Sequence, residues 1–188
     1  MMDEYFGNGM LTIDLLSFDF LSNQSKVELW LTYKNLKPVS AFPLKDESEV
    51  NREKLFAWFK NGDLFVKKDK DSELYFVSKK VELIDELIPI DFSNSKEDIE
   101  RKCALYGYPK ETALAAFRNF TQNKDGLPVG VGLKKDNPFN ITWWPYVRYV
   151  VREGFEYEDS LAAKAWQEEI IKELPELDRL FCEDLIAV

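Results

Sequence analysis

The side chains able to do chemistry in this chain are overwhelmingly carboxylates. Asp and Glu number 34 against 25 Lys and Arg, and there is no histidine. A Ser-His-Asp triad, a Cys-His dyad, a histidine-bearing zinc site and a histidine pH switch each need an imidazole, so those mechanisms are excluded. Carboxylate, lysine, tyrosine or cofactor chemistry is left. Asp14, Asp19, Glu86 and Asp91 are candidates for an acid/base pair of the glycosidase kind, but their spacing singles out no pair. Asp69, Asp71 and Glu73 have the spacing that opens a calcium loop. The sixth position, however, holds Leu74 instead of Gly, and the twelfth holds Lys80 instead of Glu. Gly130-Val131-Gly132 falls short of both glycine-rich phosphate patterns. No cofactor, no metal and no catalytic set is expected on these grounds.

The densest constellation lies near the C-terminus. Glu153, Glu156, Glu158 and Asp159 fall within seven residues, with Phe155 and Tyr157 among them, and Glu168, Glu169, Glu173, Glu176 and Asp178 follow. Such a surface attracts a basic macromolecule and speeds the encounter, and a tyrosine among the carboxylates offers a contact anchor. Glu153, Glu156, Tyr157, Glu158, Asp159, Glu169 and Glu173 are therefore the expected partner-binding residues. The competing use is local, since Asp159 and Ser160 can cap the helix that follows. Glu173, Glu176 and Asp178 lie too far along for that role.

The net charge of −9 is unevenly laid out: −7 over residues 1–100, +6 over 101–152 and −8 over 153–188. Two basic groupings make nucleic acid the alternative ligand. Lys67, Lys68 and Lys70 lie in a hairpin that follows a helix, which is the order of a winged helix-turn-helix. Lys134, Lys135, Arg148 and Arg152 interleave with Trp143, Trp144 and Tyr146, as in a single-strand stacking platform. Arg148 and Arg152, four apart, would share a helix face. Against both, an acidic chain repels phosphate. The presumed reading helix also shows Glu49 and Glu53 beside Arg52 and Lys54, and the basic block can instead dock on the acidic C-terminal one.

The elements that must position these groups are mainly helical. Thr12–Leu21 reads as a short apolar helix or strand. Ser25-x-x-Glu28 fits a capping box for a helix from Lys26 to Leu36 stopped by Pro38, with an alternating strand as the rival. Glu49–Lys60 is a helix with Leu55, Phe56, Trp58 and Phe59 on its apolar face, stopped by Gly62 in a left-handed conformation. Leu64–Val66 and Leu74–Val77 form a hairpin. Val81–Ile88 is a short helix ended by Pro89, and Ser95 caps a helix to Tyr106 with Gly107 as its stop. Pro109 opens a helix to Phe120. Val129–Leu133 and Phe139–Trp144 form a second hairpin. Pro145 opens a helix to Gly154, and Ser160–Leu174 and Pro175–Leu185 are the last two helices.

The expected fold is α+β, predominantly helical with one or two β-hairpins. It is a single compact domain or two tightly packed subdomains, 1–92 and 93–188. No stretch is long and apolar enough to span a membrane, and the N-terminus lacks a signal-peptide pattern. Cys103 and Cys182 read as buried free thiols, and a cytoplasmic location is expected. The leading function is a small acidic protein that binds another protein, in the manner of a non-catalytic immunity-type inhibitor of a basic toxin or nuclease. A winged-helix nucleic-acid binder is second and a carboxylate enzyme third.

Overall fold

Ser22 opens the first long helix, because its side-chain oxygen accepts the Ser25 N–H at 3.1 Å. In the computed structural model the described residues are 14–44, 48–113, 142–147, 149, 151 and 155–186. A single helical turn at 14–17 precedes α1, which spans Asn23–Tyr33. The cap is thus three residues earlier than the Ser25-x-x-Glu28 pattern suggests. Ser25 is buried inside the first turn, and Glu28 is released for another bond. The helical alternative nonetheless holds over the strand. Asn35, with φ 59°, turns the chain out of the helix and into β1, Val39–Phe42.

Helix α2 covers Glu49–Asn61. Gly62 closes it with φ −91°, so this glycine is not left-handed; the positive φ falls on Asp63, at 53°. What makes a side chain at position 62 awkward is space, since an added Cβ would lie 3.2 Å from the Tyr33 ring. The expected hairpin follows as β2, Phe65–Lys68, and β3, Tyr75–Ser78. Strand β1 joins it to give an antiparallel sheet of order β1-β3-β2. Phe42 pairs with Tyr75, Val39 and Phe65 with Ser78, and Lys67 with Phe76.

The sheet is covered on both faces. Alternation sends Val39 and Phe76 to one face, where Ile84 and Leu87 of α3, Val81–Leu87, cover them. Phe42, Val66, Tyr75 and Val77 point the other way into a cluster with Leu29 and Trp30 of α1 and Leu55, Trp58 and Phe59 of α2. Pro89 does not end α3 abruptly, because the chain runs on through a 3-10 turn at Ile88–Ile90. Helix α4, Lys96–Leu105, is capped by Ser95, whose oxygen accepts the Asp98 N–H at 3.1 Å. Gly107 stops it with φ 73°, a conformation costly to any residue with a Cβ.

Past Pro109 the chain makes a 3-10 turn at Lys110–Thr112; the rest of the helix expected to reach Phe120 lies outside the described residues, as does the Val129–Leu133 strand. The return strand expected to reach Trp144 is overturned at its end. Thr142 and Trp143 form a turn, and Trp144–Tyr146 is a 3-10 turn with Pro145 near its start. The helix expected from Pro145 to Gly154 is not formed at its described residues beyond that turn either. Val147 is extended, with φ −75° and ψ 90°, and Tyr149 and Val151 are not helical. Those three side chains are all buried in one core cluster.

Helices α5, Glu156–Asp159, α6, Leu161–Glu173, and α7, Pro175–Ile186, complete the chain. The α6–α7 hairpin lies against α1, and Asn23 donates to the Asp184 carboxylate at 2.9 Å. One core cluster therefore contains Trp30 of α1 together with Tyr146, Trp166, Ile170, Leu177 and Phe181. The result is a helical α+β fold with a small antiparallel sheet. Among the described residues no helix is long and apolar enough to cross a membrane, and no group of acidic, Cys or His side chains is arranged to hold a metal ion.

Candidate functional site

The acidic segment near residue 155 is where charge and exposed apolar surface coincide. Phe155, Tyr157 and Leu161 are 50%, 46% and 45% exposed, although each is a large hydrophobic side chain. Tyr157 stands edge-on to Trp143, with ring centroids 6.0 Å apart. Trp143 is itself fixed by donating its indole N–H to Ser160 Oγ at 2.9 Å and by Lys164, whose ammonium is 5.2 Å from the ring centre. The base of the tyrosine is held while nearly half of it faces solvent. Glu158 is exposed beside it, and Glu156 opens α5. Glu153 lies outside the described residues.

Three of the expected contact residues are used inside the molecule. Asp159 is 3% exposed, and its carbonyl accepts the Tyr149 hydroxyl at 2.7 Å. It belongs to the interior because α5 and α6 are nearly continuous and turn that position inward. The capping role foreseen for Ser160 is not taken up: its hydroxyl donates back to Tyr157 O at 2.8 Å. Glu169 and Glu173 both hold Lys34, at 3.3 Å and 2.7 Å. The Lys34 hydrogen bond holds the Glu173 carboxyl below the ordinary value of 4.5. Burial pulls the Lys34 ammonium down, but its bonds to Glu173 and Glu169 raise it on balance.

Much of the remaining acidic block is also engaged. Arg179 bridges Glu176 at 2.5 Å and Glu183 at 2.7 Å. Asp178 accepts the Tyr146 hydroxyl at 2.9 Å and the Gln167 amide at 3.0 Å. Burial and the Asp178 charge push the Cys182 thiol up to about 12. Both cysteines are free, Cys103 buried and Cys182 half-buried.

The basic groupings fare differently from their sequence reading. Lys67 is paired with Asp85 of α3, and the Lys68 ammonium lies 5.4 Å from the centre of the Tyr75 ring. Lys70 is exposed in the hairpin turn. Among the described residues helix α2 is preceded by strand β1, whereas a helix-turn-helix joins two helices directly. Lys134, Lys135, Arg148 and Arg152 lie outside the described residues. Of the helix that Arg148 and Arg152 were to share, the described residues Val147, Tyr149 and Val151 are not helical. Trp144 and Tyr146, at 5% and 1% exposed, are core residues and offer no stacking surface.

Two features have no obvious signal in the sequence. The first is Lys37, which is 1% exposed. Its ammonium donates to Glu28 at 2.5 Å and sits 5.1 Å from the centres of the Tyr108 and Trp166 rings and 6.0 Å from that of Tyr106. Ser40 donates to the same Glu28 oxygen at 3.1 Å and shares a 2.6 Å bond with Thr32. The second is Phe92, which is 69% exposed on a braced turn. Lys102 donates to the carbonyls on either side of it, Asp91 O and Ser93 O, at 2.8 Å each, and Tyr106 donates to the Asp91 carboxylate at 2.7 Å. A lone Phe within the polar run Asp91–Ser95 was its only trace.

No protein-family model, no curated protein and no solved structure matches this chain.

Proposed function

We propose that this protein acts by binding a basic protein partner, and that it does so as a non-catalytic inhibitor in the manner of immunity proteins that neutralise a cationic toxin or nuclease. The observation that carries the reading is the exposure of Phe155, Tyr157 and Leu161 beside Glu158. Half-exposed rings flanked by carboxylates combine a desolvating anchor with long-range attraction to positive charge. Tyr157 is favourable as an anchor because its contact with Trp143 already restricts it, which lowers the ordering cost on binding. The recognition set is thereby narrowed to Phe155, Tyr157, Glu158 and Leu161, with Glu153 and Glu156 by sequence. Asp159, Glu169 and Glu173 serve the internal structure. The free thiols are in keeping with a reducing compartment, and we place the protein in the cytoplasm.

The test is direct titration against the basic products of the neighbouring genes, using wild type, Tyr157→Ser and Glu158→Lys. Loss of Tyr157 should weaken binding by about 2 kcal/mol or more, mainly through a faster off-rate. Glu158→Lys should slow association and flatten its dependence on salt. Unchanged affinity in both variants, or a cognate partner that is itself acidic, would overturn the proposal.

A further inference from the structure

Phe92 is 69% exposed, more than any other large hydrophobic side chain among the described residues. The turn that carries it is held from several directions. The Ser93 N–H donates to Ile90 O at 2.9 Å, and the Ser93 hydroxyl donates to the Asp98 carboxylate in the first turn of α4. Lys102 spends its ammonium at 2.8 Å on Asp91 O and Ser93 O, the carbonyls that bracket the phenylalanine. That use of an amine is costly, because burial pulls the Lys102 ammonium below its ordinary value. Tyr106 closes the brace on the Asp91 carboxylate at 2.7 Å. An apolar ring on a fixed backbone loses little freedom when a partner takes it, as a recognition anchor requires.

The charge around the ring is negative. Residues 88–102 contain three cations, and each is engaged: Lys96 with Glu100 at 3.8 Å, Arg101 with Glu86, and Lys102 with the two carbonyls. Asp91 adjoins the ring, Asp98 is bonded to Ser93 on its other side, and Glu97 is exposed beside Asp98. Bonds from Ser93 and Ser95 hold the Asp98 carboxyl below its ordinary value, so it stays ionised at neutral pH. Such a rim repels an anionic lipid surface. It complements a protein pocket with apolar walls and Lys or Arg at its mouth. The turn is also tied to α5. Tyr106 stacks on Tyr108 with centroids 5.6 Å apart, Tyr108 meets Tyr149 at 5.1 Å, and the Tyr149 hydroxyl donates to Asp159 O at 2.7 Å. This row fixes the spacing between Phe92 and the Tyr157 segment.

We propose that Phe92 is a second anchor for the basic protein partner, taken into an apolar pocket with a cationic rim. The inference rests on the reading of that partner given above, and it adds a contact remote in sequence from Tyr157. Calorimetric titration of the full chain with the basic products of the neighbouring genes tests it. Phe92→Ser should weaken binding about tenfold or more. Glu97→Lys should slow association and flatten its dependence on salt. Phe65→Ser, which removes another half-exposed ring, should leave the affinity unchanged. Phe92, Glu97 and Phe65 are exposed, so the three variants should keep the wild-type urea midpoint. If Tyr157→Ser weakens binding and Phe92→Ser does not, this proposal is overturned and the partner reading stands; if wild type binds none of the basic products, both fall. An equal loss in Phe65→Ser, unaltered association of Glu97→Lys, or self-association of wild type that Phe92→Ser abolishes also overturns it.

Discussion

Lys37 offers the sharpest test of how this interior is held. Its ammonium is buried, bonded to Glu28 and surrounded by Tyr106, Tyr108 and Trp166. Replacing it with Met keeps most of the stem volume and removes only the charge. Glu28, whose side chain is 12% exposed, then keeps the Ser40 hydroxyl but has lost its ammonium partner. Breaking a buried pair by removing one partner costs about 3–5 kcal/mol. Lys37→Ala also forfeits three methylenes at about 0.8 kcal/mol each, about 2 kcal/mol further. That would consume much of the roughly 5–15 kcal/mol by which a domain is stable, so the Met variant is the informative one. Lys37→Met with Glu28→Gln removes both charges and should recover most of the loss, because an uncharged pair pays no ionic desolvation. Urea unfolding followed by tryptophan fluorescence measures all four corners of the cycle, Trp166 being a reporter beside the amine. The reasoning is refuted if Lys37→Met costs less than about 1 kcal/mol, or if the double variant is as unstable as the two single losses combined.

Two further outcomes follow from the geometry. Gly107→Ala should destabilise by about 1–2 kcal/mol, because φ is 73° and a Cβ would lie 3.1 Å from Pro38 Cδ and 3.3 Å from Leu36 O; a neutral effect in urea unfolding would contradict this. For Glu173, the folded carboxyl titrates below 4.5, so its pairing with Lys34 stabilises fully above that value and is lost as the pH falls through the lower folded one. Glu173→Gln should therefore lower the thermal midpoint at neutral pH yet flatten its decline toward about pH 3, and an unaltered acid slope would count against the pairing.

Elements governed by local chemistry were legible in the residues. The apolar face of Glu49–Asn61, the two strands around Lys67–Leu74, the Ser95 cap and the Gly107 stop all depend on neighbours within a few positions. Strand β1 was not, since four residues between Pro38 and Pro43 are too few to show a period, and the strand exists because β3 offers it an edge. Pro145 carried a helix-start signal that three buried side chains beyond it overrode. The candidate site shows the same division. The carboxylates and rings of 153–159 could be seen as a cluster, but which of them face outward was decided by distant partners. Lys34 claims Glu169 and Glu173 from more than a hundred residues away, and Tyr149 turns Asp159 inward. Lys37 looked like any solvated lysine because its cage is assembled from three separate parts of the chain.

The contact of the last two helices with α1 bears on how the chain is made. Trp30 shares its cluster with Ile170, Leu177 and Phe181, and Asn23 is bonded to Asp184. On the ribosome α1 emerges early, and the surface that covers it is synthesised roughly 150 residues later, about 8–30 s at usual elongation rates. For that interval the part of α1 that meets α6 and α7 is uncovered, while the sheet and α2 can already close on the rest. Premature termination before α6 would release a chain in which the sheet and α2 can close on α1 from one side only, so quality control should recognise C-terminally shortened products more readily than N-terminally trimmed ones.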